Sequence, residues 1–133
     1  MSYTKADLIR IFNKHFIEFL EDINIILPEN SDILSAKKMY KMAMNTNPSL
    51  IIQIWNKYVV SKYKNEIEAG DIQYFIKKNY EDDVANSNKS TRILDIIYRL
   101  KKTIQLLSDS NQHKSMKYIQ NLTQLTILYD ISK

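Results

Sequence analysis

Glycine and proline are scarce in this chain of 133 residues, which has one glycine, Gly70, and two prolines, Pro28 and Pro48. Glycine-rich phosphate loops, tight hairpins and strained catalytic turns depend on these residue types. Cysteine is absent, which excludes disulfides and thiolate metal sites within this sequence. These absences predict a bundle of helices, in which any chemistry has to come from side chains on helical faces.

Long hydrophobic runs are also missing. No apolar stretch approaches the roughly 18 residues that span a bilayer, and the first five residues lack the apolar region of a signal peptide. Hydrophobic residues make up 44% and charged residues 26% of the chain, as in ordinary ordered domains. We therefore expect one intracellular domain, residues 1–133, that does not bind a membrane.

Apolar residues recur at spacings of three and four, which predicts an all-α fold, a single compact bundle of about five to six helices. The first helix begins with a capping box at Thr4 and Asp7 and ends at Leu27, before Pro28. We expect Asn47 to cap the third helix, with Pro48 at its first position. The other predicted helices cover residues 31 or 32 to 44, 48 to about 70, 72 to about 79, from about 90, and from 109 or 110. Residues 80–88 are the longest predicted loop.

Aromatic residues mark the expected core. Phe12, Phe16 and Phe19 share one face of the first helix, and the third helix carries Trp55 and Tyr58 on an apolar surface too wide for one-sided burial. We expect Gly70 to end the third helix and Asp71 to cap the next. The chain has nine tyrosines, which suit half-buried positions and protein interfaces.

The charges alternate in sign along the chain. Residues 1–34 carry three bases and six acids, 35–64 six bases and no acid, 65–83 two bases and six acids, and 84–133 eight bases and three acids. The basic residues that could contact nucleic acid or an acidic partner are Lys37, Lys38, Lys41, Arg92, Arg99, Lys101 and Lys102. The alternative is charge matching between acidic and basic helices, within the chain or between subunits.

One histidine and two acids, His15, Glu18 and Asp22, lie on one side of the first helix, where they are either a metal site or a charged solvent face. We favour the solvent face. Asn13 and His15, bracketed by Phe12 and Phe16, are either surface residues or members of a buried polar network, and a structural role is the favoured interpretation. We therefore expect no catalytic residue, no metal, no cofactor and no small-molecule substrate.

Five short patterns stand out along the chain: an F-N-x-H-F-x-E-F opening (Phe12 to Phe19), N-P (Asn47, Pro48), I-W (Ile54, Trp55), G-D-I (Gly70 to Ile72) and K-Y-I-Q-N-L (Lys117 to Leu122). Together they resemble a family of short, uncharacterised helical proteins of nucleocytoplasmic large DNA viruses, the giant viruses of algae and protists. The similarity covers nearly the whole chain. It implies a viral origin, in agreement with the abundance of Ile, Asn, Lys and Tyr, whose codons are rich in A and T, but it supplies no catalytic residue.

Two functions are consistent with these features. The first is a non-enzymatic viral protein that binds protein partners, or a second copy of itself as a homo-oligomer, in virion assembly or as an adaptor during infection. The second is a sequence-nonspecific nucleic-acid-binding protein that packages or regulates the viral genome. Either function places the protein in the host cytoplasm or nucleus, or in the virion.

Overall fold

The computed structural model describes residues 3–77 and 88–132, which form six helices and no strand. We number them α1 (Lys5–Ile26), α2 (Ser31–Thr46), α3 (Leu50–Trp55, Asn56–Val60 and Ser61–Glu68 in one continuous helix), α4 (Ile72–Lys77), α5 (Asn88–Gln105) and α6 (Asp109–Ile131). The all-α prediction is confirmed. Of the predicted loop over residues 80–88, residues 80–87 lie outside the described residues, as does the predicted end of α4 at Asn79, and Asn88 already belongs to α5. No helix in the described ranges is long and apolar enough to cross a membrane.

The ends of α1 and α2 follow the local signals in the sequence. Thr4 and Asp7 form a complete capping box, since each side chain accepts a hydrogen bond from the other residue's backbone N–H. Asn30 caps α2 by accepting from the N–H of Ile33 at 3.1 Å. The turn between α1 and α2 is short, so the two helices run antiparallel and pack against each other.

The start of α3 differs from the prediction. The helix begins at Leu50, and Pro48 lies in the preceding turn rather than at the first helical position. The Asn47 side chain accepts hydrogen bonds from the backbone N–H and the hydroxyl of Ser49, at 3.3 and 3.0 Å. Asn47 therefore stabilises a turn, which delays the helix by two residues.

A π-helical segment, Asn56–Val60, lies in the middle of α3 and was not predicted. Its wider turn contains one residue more than an α-helical turn. Trp55 before it, Val59 within it and Tyr63 after it are all buried. Tyr58 was expected in the core but lies at the edge of the core, where its side chain is half-buried. The ammonium groups of Lys57 and Lys62 lie 5.3 and 5.7 Å from the centroid of its ring.

The core forms where the aromatic face of α1 meets α2 and α3. The Phe16 ring lies 4.6 Å from Tyr40 of α2 and 5.6 Å from Trp55 of α3, in an edge-to-face arrangement with the latter. Phe12, Phe16, Phe19 and Trp55 are each at most 1% exposed, which confirms their predicted core positions. On its other side α1 packs antiparallel along α6, and α2 packs along α5.

Gly70 ends α3 as predicted. Its φ is +77°, and the N–H groups of Gly70 and Asp71 donate to the carbonyls of Ile67 and Glu66, both at 2.9 Å. This is the Schellman arrangement of a helix C-terminus. Asp71 then caps α4 by accepting from the N–H of Tyr74 at 3.1 Å, so one dipeptide ends one helix and begins the next.

We predict that Gly70→Ala lowers the free energy of unfolding by about 1 kcal/mol, because alanine resists positive φ. The cost is conformational: a Cβ at this position would lie 3.7 Å from the Gln120 side chain, an ordinary contact. Gly70→Asn should lose less, because asparagine tolerates this conformation. Urea unfolding of both variants tests the prediction, and an alanine variant as stable as the parent would contradict it.

Candidate functional site

Two of the predicted basic residues neutralise acids of the same chain. The Arg99 guanidinium contacts Asp32 of α2 at 2.9 Å and Asp95 of α5 at 3.0 Å. Lys102 contacts the other carboxylate oxygen of Asp32 at 3.5 Å. These pairs join α5 to the start of α2. The charge-matching interpretation therefore describes this part of the protein, and Arg99 and Lys102 are not a free phosphate-binding surface.

The prediction that Lys101 lies on a basic surface is also wrong. It is only 3% exposed, and its ammonium lies 5.8 Å from the centre of the Phe75 ring. The sequence contains the signal for this burial, because Lys101 lies four residues after Ile97 and three before Ile104, both in the core. Neighbouring residues of a helix point about 100° apart, so the adjacent Lys102 remains on the surface.

The other four predicted basic residues do lie towards solvent. Lys38, Lys41 and Arg92 are exposed and Lys37 is partly exposed. Among the described residues, none of the four has a carboxylate within salt-bridge distance. We call the three lysines of α2 the basic row; at about 100° per residue each lies about 120° or more around the helix from Asp32, which contacts α5.

Asn13 belongs to a buried polar network and is only 4% exposed. Its amide donates to the carbonyl of Pro48 at 2.9 Å, and its side-chain oxygen accepts from the hydroxyl of Tyr40 at 2.7 Å. Burial raises the pKa of Tyr40 well above the ordinary value of 10, so the phenol stays protonated as the donor. This one residue joins α1 to α2 and to the turn before α3.

An apolar groove lies directly beside this network. Its floor is formed by Ile9, Ile17, Met44 and Pro48, and charged side chains of α1, Arg10, Lys14 and Glu18, line its rim. We call it the α1 groove. Its volume is about 690 Å³, within the range of ligand-binding clefts. Ile9, Ile17 and Met44 are only partly buried, so apolar surface remains open to a partner.

The α1 groove was not predicted, although the sequence contains a signal for it. Ile9 and Ile17 lie eight residues apart with Asn13 midway between them, so they form a second apolar row beside the aromatic face. The aromatic face alone is enough to pack α1 against the core, so a second apolar row indicates a further apolar surface. Met44 and Pro48 complete the floor where the end of α2 and the following turn pack against α1, at the hydrogen bonds of Asn13.

Basic residues lie in the lining of the α1 groove and next to it. Lys37 and Lys41 are not lining residues, but they share a face of α2 with Met44 at i, i+4, i+7 spacing and lie on from it towards the start of α2. Arg10 and Lys14 stand on the α1 side. Arg10 contacts Asp7 at 3.4 Å with its side chain 69% exposed, a weak surface pair. Glu18 is the single acid in the groove lining.

A second, smaller groove of about 320 Å³ lies between α1 and α6 and contains His15. The Tyr118 ring stacks on Phe19 at 4.7 Å and also lies 4.8 Å from the His15 ring. Its hydroxyl donates a hydrogen bond to Asp22. Burial, followed by this bond, raises the pKa of Tyr118 to about 12.

The structure does not assemble His15, Glu18 and Asp22 into a ligand set. Glu18 lines the α1 groove, whereas Asp22 accepts from Tyr118 on the α6 side. His15 is half-buried rather than part of a charged solvent face, because α6 covers its ring, and its Nε2 has no hydrogen-bond partner. Within residues 3–77 and 88–132, no group of three or more histidine or acidic side chains is placed to hold a metal ion.

In comparisons with known proteins, no family model, no curated protein and no solved structure matches the chain.

We predict that Asn13→Ala lowers the free energy of unfolding by about 1 to 3 kcal/mol, because the Tyr40 hydroxyl and the Pro48 carbonyl lose their partner. Tyr40→Phe removes the hydroxyl that would be left unpaired. The Asn13→Ala cost should therefore be smaller in the Tyr40→Phe background. A double-mutant cycle by urea unfolding measures this coupling, and strictly additive losses would show that the two side chains do not interact.

We predict that protonation of His15 destabilises the fold. Burial lowers the pKa of His15 below the ordinary 6.5, and Glu18 opposes this shift only partly. The unfolded chain therefore binds the proton at a higher pH than the folded chain does. Stability should be full above the unfolded pKa and fall as the pH drops from about 6.5 towards the folded pKa. His15→Gln should remove this part of the pH dependence of urea unfolding, and an unchanged profile would contradict the assignment.

Proposed function

We propose that the protein is a non-enzymatic viral protein that binds a protein partner through the α1 groove, in virion assembly or as an adaptor during infection. The observation that carries this proposal is the apolar floor of the α1 groove, formed by half-buried Ile9, Ile17 and Met44 beside exposed Pro48. Exposed contiguous apolar surface bordered by charge is typical of protein-binding sites. The viral part of the proposal is supported by the sequence patterns alone.

The construction of the α1 groove supports a binding role. Asn13, at its base, is held from two directions by hydrogen bonds to α2 and to the turn before α3. The groove walls are therefore fixed before a partner arrives, which reduces the entropy lost on binding. Its apolar residues supply burial without a deep enclosed cavity, as expected for a macromolecular partner.

Site-specific photo-cross-linking in infected cells tests this function. A photoreactive residue at Met44 should yield a discrete cross-linked protein, because the partner covers that side chain. The same residue at Leu106, which is 64% exposed in the turn between α5 and α6, is the matched control. The Met44 product should disappear when Ile17→Asp is added to the groove. Equal products from both positions, or none from Met44, would overturn the proposal.

Nucleic-acid binding is the second candidate, favoured by the basic row of Lys37, Lys38 and Lys41 without intramolecular partners among the described residues. Binding to mixed-sequence duplex should be strongest at about 50 mM salt and should weaken in Lys37→Glu with Lys38→Glu. Absence of binding at that salt concentration would remove this candidate. Binding that is lost with Lys38 but kept in Ile17→Asp would favour it over the protein partner.

A further inference from the structure

We propose that the segment bound in the α1 groove is an acidic amphipathic helix of about three turns. It lies along α1 with its apolar stripe on Ile9, Ile17 and Met44 and its carboxylates opposite Lys14 and Lys41. This inference rests on the proposed function and names the chemistry of its partner.

The length of the α1 groove gives the length of the segment. Lining residues run along α1 from Ala6 to Glu18, through every turn between them. At 1.5 Å per residue this distance is about 18 Å, or a little over three helical turns. The groove is thus an elongated track beside a helix, and a helix presenting apolar residues at i, i+3 or i+4, and i+7 matches it along its whole length.

A helical segment fits the groove better than an extended one. An extended peptide binds with high affinity when its backbone N–H and C=O groups pair with the edge of a sheet. The described part of the chain contains six helices and no strand, so it offers no such edge. A helix satisfies its backbone internally and needs only side-chain contacts, which the apolar floor provides.

Charge complementarity selects an acidic partner. Arg10 and Lys14 line the groove on α1, and Lys41 and Lys37 follow Met44 on the same face of α2, just outside the lining. Lys14, Lys37 and Lys41 have no ion-pair partner within the described residues. Such rim charges act mainly on specificity and association rate, while the apolar contacts supply most of the affinity.

Two synthetic helices test the charge assignment. Both carry the same leucine stripe over three turns; one has glutamates beside the stripe and the other has lysines. Fluorescence anisotropy with the full-length protein should give about tenfold tighter binding of the glutamate peptide at about 50 mM salt, and this preference should shrink at about 500 mM. Lys14→Glu with Lys41→Glu should reverse the preference. Lys64→Glu with Lys114→Glu, an equal charge change at exposed positions outside the groove, should not.

The outcomes separate this inference from the proposed function. If both peptides bind equally, or the lysine peptide binds more tightly, and Ile17→Asp abolishes binding, the groove binds helices but the acidic partner is wrong. If neither peptide binds, the helix-binding role itself is overturned. Binding that survives Ile17→Asp would place the contact elsewhere and would also reject the inference. Circular dichroism of each variant confirms that the helices remain folded.

Discussion

The packing of Phe16 holds three helices in place at once. Its ring touches Phe12 and Phe19 within α1, Tyr40 of α2 and Trp55 of α3. Trp55 in turn lies close to Phe75 of α4 and donates a hydrogen bond to Thr123 of α6. Aromatic side chains bury large areas at a defined geometry, so this cluster fixes both the depth and the rotation of α1. The α1 groove and the smaller groove beside α6 lie on either side of that helix and depend on its position.

The polar contacts are arranged around this cluster according to their burial. Asn13 is deeply buried and has a hydrogen-bond partner at each end of its amide, which avoids the cost of an unpaired polar group. His15, two residues later, is less buried and has an unpartnered Nε2. The same helix therefore presents a satisfied network to α2 and a titratable contact to α6. The first lies at the base of the α1 groove, whereas the second places an unpartnered imidazole nitrogen in the contact between α1 and α6.

The basic residues divide into two groups because of helix packing. α2 and α5 lie side by side, which brings Arg99 and Lys102 to Asp32. The lysines on the other side of α2 have no acid opposite them among the described residues. One side of α2 thus carries Asp32, which pairs with α5. Another side carries the lysines that are available to a partner. The apolar floor beside the second group favours a protein helix over a nucleic acid as its partner.

Local sequence determined the helical fold, most helix ends and the aromatic core. Capping residues, Gly70 and the spacing of Phe12, Phe16 and Phe19 act within a few residues, so their effects can be predicted without the fold. Other features needed tertiary contacts. The depth of Lys101, the position of Tyr58 and the half-burial of His15 depend on which neighbouring helix covers them. The α1 groove exists only in the packed structure, where Met44 and Pro48 lie beside Ile9 and Ile17, because residues far apart in sequence share a surface only after the helices have packed.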